Sequence, residues 1–283
     1  MHDKWLKDLP GLTKRYAEGA PFPHIRLLNF LEAGAAEELA GSFTPKEGNW
    51  ITYRHFSQNT LGLTGRIPLL NRFLEPSFLH WLTALTGIRN LIGDPTFEGG
   101  GLHQTKRGGF LNVHSDFSHH PYQKNWKRRC NVLLYLNHEW EESWGGAIEL
   151  WDKKMKSQRS YPPLFNSALI FETNSESLHG YPAPLECPPS VTRKSLALYY
   201  YSLEEKPSRP IATKYHSRSH RLLTQIDNGI LATYSALRRK KILSDRFTSY
   251  VQAVVARPKA EAISWVKRTT RLLRPLSGAR NDY

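Results

Sequence analysis

Short apolar or alternating runs separated by turn residues dominate the chain past Gly93, at Phe110–Asp116, Cys130–Asn137, Ala147–Trp151, Ala168–Glu172 and Thr192–Ser202. Gly99–Gly101, Gly108–Gly109, Gly145–Gly146, Pro162–Pro163 and Pro188–Pro189 punctuate them. Runs of this length and spacing predict strands of an all-β sandwich or jelly roll. Upstream the period changes. Residues 21–30 (PFPHIRLLNF) read as a strand entered through prolines. Leu31, Ala35 and Leu39 then fall on one face of a helix over Leu31–Phe43, and Phe78, Leu79, Leu82 and Leu85 do so over Glu75–Ile88. Two helices placed ahead of a β-rich region would pack against one sheet. Beyond Lys206, Pro207 and Pro210 end the strand pattern, and helical spacing returns over Ile226–Leu243, Arg246–Ala256 and Lys259–Arg274. The expected fold class is α+β, mainly β. Residues 1–206 form the β domain with supporting N-terminal helices, and residues 207–283 form a helical C-terminal extension.

Charge sharpens that boundary. The net charge is +14 over 283 residues, but residues 207–283 hold 16 Lys and Arg against 4 Asp and Glu, while residues 1–206 hold 23 against 21. The first part is balanced like an ordinary globular enzyme, and the tail carries the basic character. Cys130 and Cys187 are too few for a disulfide framework and are expected to be reduced thiols. No stretch approaches the length of a membrane span and the N-terminus lacks an apolar signal core, so the expected location is cytoplasmic. The tail leaves three readings open: helices docked on the core, peripheral contact with an anionic membrane at its inner face, and contact with an acidic ligand. No base-reading motif is present, which sets nucleic acid aside.

Candidate chemistry centres on His114 and Asp116, one residue apart, with His179 further along. Side chains at i and i+2 of a strand share a face. Two imidazoles and a carboxylate suit Fe(II) and leave open coordination positions for substrate or oxidant, which points to an iron enzyme that uses O2. The surrounding segments are GGFLNVHSDFSH, RRCNVLLYLNHEW, WGGAIELW, PLFNSALIFET, SESLHG and TRKSLALYYYS.

In that order, over about residues 21–203, the chain resembles the prolyl 4-hydroxylase-like branch of the 2-oxoglutarate and Fe(II)-dependent oxygenases. The resemblance implies a double-stranded β-helix, with His114, Asp116 and His179 as iron ligands and 2-oxoglutarate and O2 in the open positions. Arg193 would receive the far carboxylate of 2-oxoglutarate through its guanidinium fork, with Lys194 as the alternative anchor. Tyr135 would add a hydroxyl, and Asn131, of the same strand parity, would face the same pocket. Ascorbate would serve as reductant. The carboxylate at Asp116 favours hydroxylation over halogenation, because related halogenases have a small residue there.

Two departures bear on substrate. Fourteen residues separate His179 from Arg193, more than in the animal peptide-prolyl hydroxylases, and no Tyr lies between Tyr53 and Tyr122. The expected activity is hydroxylation of an unactivated C–H bond in a small molecule, a biosynthetic intermediate or a protein side chain. The alternatives are a peptidyl-prolyl hydroxylase and a jelly-roll binding protein without turnover. Residues 50–73, 94–109 and 117–128 are expected to be substrate loops, with His119 and His120 touching substrate or solvent.

Overall fold

In the computed structural model the described residues are 4–43, 50–53, 58–61 and 68–216, with Thr233, Ala236 and Leu237 beyond them. Two antiparallel sheets carry the fold. The larger comprises β1 (His24–Leu28), β2 (Trp50–Tyr53), β3 (Gln58–Leu61), β4 (Ile92–Gly93), β5 (Gly101–Thr105), β7 (Trp126–Tyr135), β10 (Ser167–Glu172) and β12 (Arg193–Leu203). Its order is β1-β10-β7-β12-β5-β3-β2, with β4 also on β12. The smaller runs β13-β6-β11-β8-β9, from β6 (Leu111–Ser115), β8 (Ile148–Trp151), β9 (Ser157–Tyr161), β11 (Leu178–Tyr181) and β13 (Lys214–Tyr215).

Strand alternation divides the larger sheet into two faces. Ile25, Leu27, Val132, Leu134, Ala168, Ile170, Leu196 and Leu198 point one way. They are buried with Leu39, Phe78, Trp81, Leu82 and Leu85 of the helices. Those helices are α1 (Lys4–Lys7), α2 (Leu9–Ala17), α3 (Ala33–Gly41), α4 (Pro68–Asn71) and α5 (Pro76–Thr86). Trp5 Nε1 donates to the Phe30 carbonyl and Trp81 Nε1 to the Trp5 carbonyl, fixing the N-terminal helix against the layer. The opposite face presents Tyr135, Leu169 and Phe171, which pack on Ile148, Leu150 and Tyr181 of the smaller sheet. The two sheets thus enclose an interior, as the expected double-stranded β-helix requires.

Three features differ from the sequence reading. The helical layer includes α1, α2 and α4 besides the two expected helices. Gly101–Thr105, assigned to a substrate loop, is the strand β5 between β3 and β12. Past residue 206 the chain still follows the sandwich: Lys214 and Tyr215 pair with Ser115 and His114 on β6. The expected C-terminal helices lie outside the described residues, apart from Thr233, Ala236 and Leu237, which are helical. No described helix is long and apolar enough to cross a membrane.

Candidate metal and 2-oxoglutarate site

His114 on β6 and His179 on β11 sit directly opposite each other in the pairing register. Gly180, the next residue on β11, allows that approach: a Cβ there would lie 2.7 Å from the Leu111 carbonyl oxygen. The two imidazole centroids are 4.4 Å apart. Asp116 follows β6 and brings its carboxylate between them, with Oδ1 3.6 Å from His114 Nε2 and Oδ2 3.6 Å from His179 Nε2. One donor atom from each residue lies within 4.8 Å of the other two. A transition ion bound at about 2.1 Å spaces neighbouring donors by roughly 3–3.6 Å, and the two Asp116–histidine contacts lie at that upper bound, each through a different carboxylate oxygen.

The ring orientations fit the same purpose. His114 Nδ1 is 2.9 Å from the Asn112 carbonyl and His179 Nδ1 is 3.1 Å from the Ser177 carbonyl. Each Nδ1–H donates to backbone, which leaves both Nε2 lone pairs facing Asp116. Burial, and then the neighbouring His114, push the His179 pKa down to about 4, so the ring is neutral at physiological pH and able to bind a metal. Burial alone would raise the Asp116 pKa. Arg128, followed by the two histidines, overcomes that and holds the carboxyl well below its ordinary range.

Arg128 is the residue the sequence reading missed. It is 2 % exposed, and its Nη2 lies 2.9 Å from Asp116 Oδ2. Its guanidinium carbon is 3.4 Å from the Tyr199 ring centroid and 4.4 Å from that of Phe117. Asn131 completes the arrangement, its side-chain amide donating to Asp116 Oδ2 at 2.7 Å and its carbonyl accepting from Arg128 Nε at 2.9 Å. Asn131 therefore faces the interior as its parity implies, and its amide is engaged with the carboxylate. Counting back from Tyr135 and Asn131 by twos would turn Arg129 inward. Between Cys130↔Tyr200 and Arg128↔Tyr201 the register shifts by one, and this bulge turns Arg128 inward instead.

Further along the same interior, Arg193 opens β12 and is 4 % exposed. Its Nε donates to the Gly146 carbonyl at 2.7 Å, and its guanidinium carbon lies 4.1 Å from the Tyr181 ring and 4.9 Å from the Tyr135 ring. Gly146, at φ 73°, belongs to the Gly-Gly turn; a Cβ there would sit 2.6 Å from Leu185 Cδ2 and 3.0 Å from Arg193 Cδ. The Tyr135 hydroxyl is buried without a hydrogen-bond partner among the described residues, and burial, opposed by Arg193, raises its pKa. His103 on β5 is pushed down to about 4 by burial and then by Arg193. Lys194 points to the opposite face of β12, with Leu196 and Leu198, and its backbone N–H donates to Asn137 Oδ1.

The expectation of substrate-facing or solvent-exposed histidines beside the triad is corrected. His119 and His120 are 4 % and 3 % exposed. His119 Nε2 lies 3.1 Å from Glu204 Oε2, and His120 Nε2 lies 3.3 Å from Asp94 Oδ2. Both rings are held by carboxylates inside the protein, where they fasten the 117–128 segment.

Residues 100–201 match the family model described as the 2OG-Fe(II) oxygenase superfamily. The chain is 26 % identical over 174 residues to prolyl 3-hydroxylase OGFOD1 of Xenopus laevis, a match covering 57 % of this chain and 32 % of that protein. It thus spans about a third of that relative's length. Similar solved structures include a prolyl-4-hydroxylase of Pseudomonas putida, 17 % identical, covering 68 % of this chain and 100 % of that one at a TM-score of 0.48. Another is a Trichoplax adhaerens prolyl hydroxylase in complex with a hypoxia inducible factor peptide fragment, 14 % identical, covering 71 % and 94 % at a TM-score of 0.49. Residues 100–201, which hold every candidate site residue named here, are thus similar to the 2OG-Fe(II) oxygenase superfamily.

Proposed function

We propose that the protein is an Fe(II)- and 2-oxoglutarate-dependent dioxygenase that hydroxylates an unactivated C–H bond. The observation that carries this reading is that one ligand atom each from His114, Asp116 and His179 lies within 4.8 Å of the other two. The donor set fits ferrous iron: two imidazoles and one carboxylate held ionised. Ferrous iron with 2-oxoglutarate and O2 supplies oxidative decarboxylation to succinate and CO2 together with oxygen transfer to a C–H bond.

The chain's own residues divide the remaining work. Arg128 and Asn131 keep the Asp116 carboxylate charged and oriented in a site that would otherwise favour its protonation. Arg193 offers a buried cation whose Nε is already fixed by Gly146, leaving its terminal nitrogens for a carboxylate. The unpartnered Tyr135 hydroxyl supplies a neutral donor beside it. Phe171, whose ring centroid is 4.8 Å from that of His179, and Leu150 wall the iron position from water. Two domains, residues 1–206 and 207–283, are our reading of the chain's organisation, with Lys214 and Tyr215 of the second paired to β6 of the first.

The substrate is a small molecule or a peptide. The likeness to prolyl 3-hydroxylase OGFOD1 supports prolyl residues of a protein as one class to be tried first. Release of succinate from 2-oxoglutarate, screened over prolyl peptides and small metabolites, tests the proposal. Substrate-dependent succinate that vanishes in His179→Ala is the expected result. No succinate above the level of that variant with any substrate, in protein loaded with iron, would instead favour a binding protein without turnover.

A further inference from the structure

Arg26 on β1 brings a cation into the sandwich that the chemistry above does not use. It lies directly opposite Leu169 of β10, and Leu169 lies opposite Leu133 of β7. Side chains opposite each other on neighbouring strands share a face. Leu169 and Leu133 pack in the interior cluster, so Arg26 projects onto the face that carries Tyr135. Arg193 is on that face too, two residues before Ser195, which pairs with Tyr135. The Arg26 side chain is partly buried, and its Nε and Nη2 are fully so, with no hydrogen-bond partner among the described residues. Its guanidinium carbon stands 5.7 Å from the Tyr161 ring centroid, and the Tyr161 hydroxyl is fixed 2.7 Å from His24 Nε2. β1 and β9 are edge strands of their sheets, so Arg26 sits where the two edges close the sandwich.

Tyr135 is flanked from both sides. β12 with Arg193 borders β7 on one side, while β10 and then β1 border it on the other. Two strand spacings, roughly 10 Å, separate β1 from β7, a gap that an Arg and a Tyr side chain can close between them. Electrostatics agrees: burial raises the Tyr135 pKa, and Arg193 and, less strongly, Arg26 draw it back. Burial lowers the Arg26 pKa in turn, opposed by Tyr161 and Tyr135. Asp116 is already taken by Arg128, and neither Arg26 nor Arg193 is ion-paired to a carboxylate among the described residues. Two guanidiniums on one interior face repel each other and are costly to desolvate unless an anion joins them.

We propose that Arg26 is a second cation for the distal carboxylate of 2-oxoglutarate, meeting it from the side of Tyr135 opposite Arg193. This rests on the co-substrate reading above and adds to it a residue of an edge strand outside residues 100–201. The diacid is then gripped from both β12 and β1, and the choice of a diacid over a monoacid is shared between two charges.

Two acids of equal length, 2-oxoglutarate and 2-oxopentanoate (which lacks the distal carboxylate), are titrated calorimetrically into the anaerobic, iron-loaded full chain. Arg26→Met is expected to weaken 2-oxoglutarate by roughly ten-fold or more and to leave 2-oxopentanoate within about two-fold. Arg26→Lys, which keeps the charge, should bind 2-oxoglutarate at least about three-fold more tightly than Arg26→Met. Arg26→Gln carries the same comparison if the methionine variant does not fold. Equal losses for both acids would overturn the proposal, because a merely structural role weakens both. Unchanged 2-oxoglutarate affinity in Arg26→Met beside a loss in Arg193→Ala would overturn it as well, while leaving the co-substrate reading in place. A parent chain that takes up iron but neither acid would overturn both.

Discussion

The two ends of the candidate site are built on opposite principles. At the metal end every charge has its counterpart within the protein: Asp116 meets Arg128 and the Asn131 amide, and both histidines are tied to backbone carbonyls. At the far end, Arg193 stands among the rings of Tyr135 and Tyr181 with no carboxylate ion-paired to it among the described residues, the Tyr135 hydroxyl has no described partner, and His103 is kept neutral. The first end is complete before any ligand arrives, whereas the second presents positive charge and a donor to an anion. A buried ionic site is costly unless compensated. On the proposed reading, the protein compensates it internally at the end assigned to a small cation and leaves it open at the end assigned to a dicarboxylate.

Breaking the compensated end should have the largest effect. Arg128→Met leaves Asp116 as an unpaired buried charge, and a loss of about 3–5 kcal/mol is expected from removing one partner of such a pair. Urea unfolding of the apoprotein measures it. Because the metal itself can neutralise Asp116, saturating Fe(II) or a redox-inert divalent ion should restore much of that stability; an unfolding midpoint matching the parent without metal would show that the pair does not carry the site.

The open end should respond differently. Arg193→Ala is expected to weaken 2-oxoglutarate binding by roughly 30- to 1,000-fold, the worth of about 2–4 kcal/mol for a buried charged contact, while iron affinity stays within about three-fold. Tyr135→Phe removes one neutral hydrogen bond, worth about 1 kcal/mol or roughly five-fold in affinity. Isothermal titration of each variant with iron and with 2-oxoglutarate separates the two ends; parallel losses of both ligands would erase the contrast.

Acid should act on both ends through their histidines. His103 and His179 have folded pKa values near 4 against an ordinary value of 6.5. Between these limits the unfolded chain takes up protons that the folded chain refuses, so stability is full above about pH 6.5 and falls toward pH 4. The apoprotein's melting temperature should drop by roughly several degrees from pH 7 to pH 4.5. A flat profile would mean that neither ring is held neutral. The smallest effect is expected at Lys194, on the helix-facing side of β12: Lys194→Ala should change 2-oxoglutarate affinity by less than about two-fold, and a loss as large as that of Arg193→Ala would reassign the anchor.

Elements whose apolar positions keep a regular period were legible in the sequence. β8, β10 and β12 lie within a residue of the runs that predict them, and α3 and α5 fall within their apolar stripes. The triad was legible because i and i+2 on one strand is a local relation, and the distal histidine stood in a recognisable order of segments. Strands that put polar side chains into the site were not. β5 reads GLHQT because His103 and Thr105 face the pocket, which removes the alternation that marks a strand. β9, SQRSY, is an edge strand with little apolar content. α2 contains Pro10 and Gly11, which argue against helix, yet Pro10 lies in the first turn, where its missing N–H costs nothing. Arg128 was hidden by a bulge, since one extra residue reverses the parity on which the reading depended. His119 and His120 find their carboxylates at Glu204 and Asp94, 85 and 26 residues away, a separation no local pattern encodes.

The most direct measurement is an anaerobic titration of the protein with Fe(II) and 2-oxoglutarate, followed in the visible spectrum. A weak metal-to-ligand charge-transfer band should grow only when both are present, disappear in His179→Ala and Asp116→Ala, and require much higher 2-oxoglutarate in Arg193→Ala. A protein that binds ferrous iron at His114, Asp116 and His179 but gives no band at any 2-oxoglutarate concentration would contradict the account.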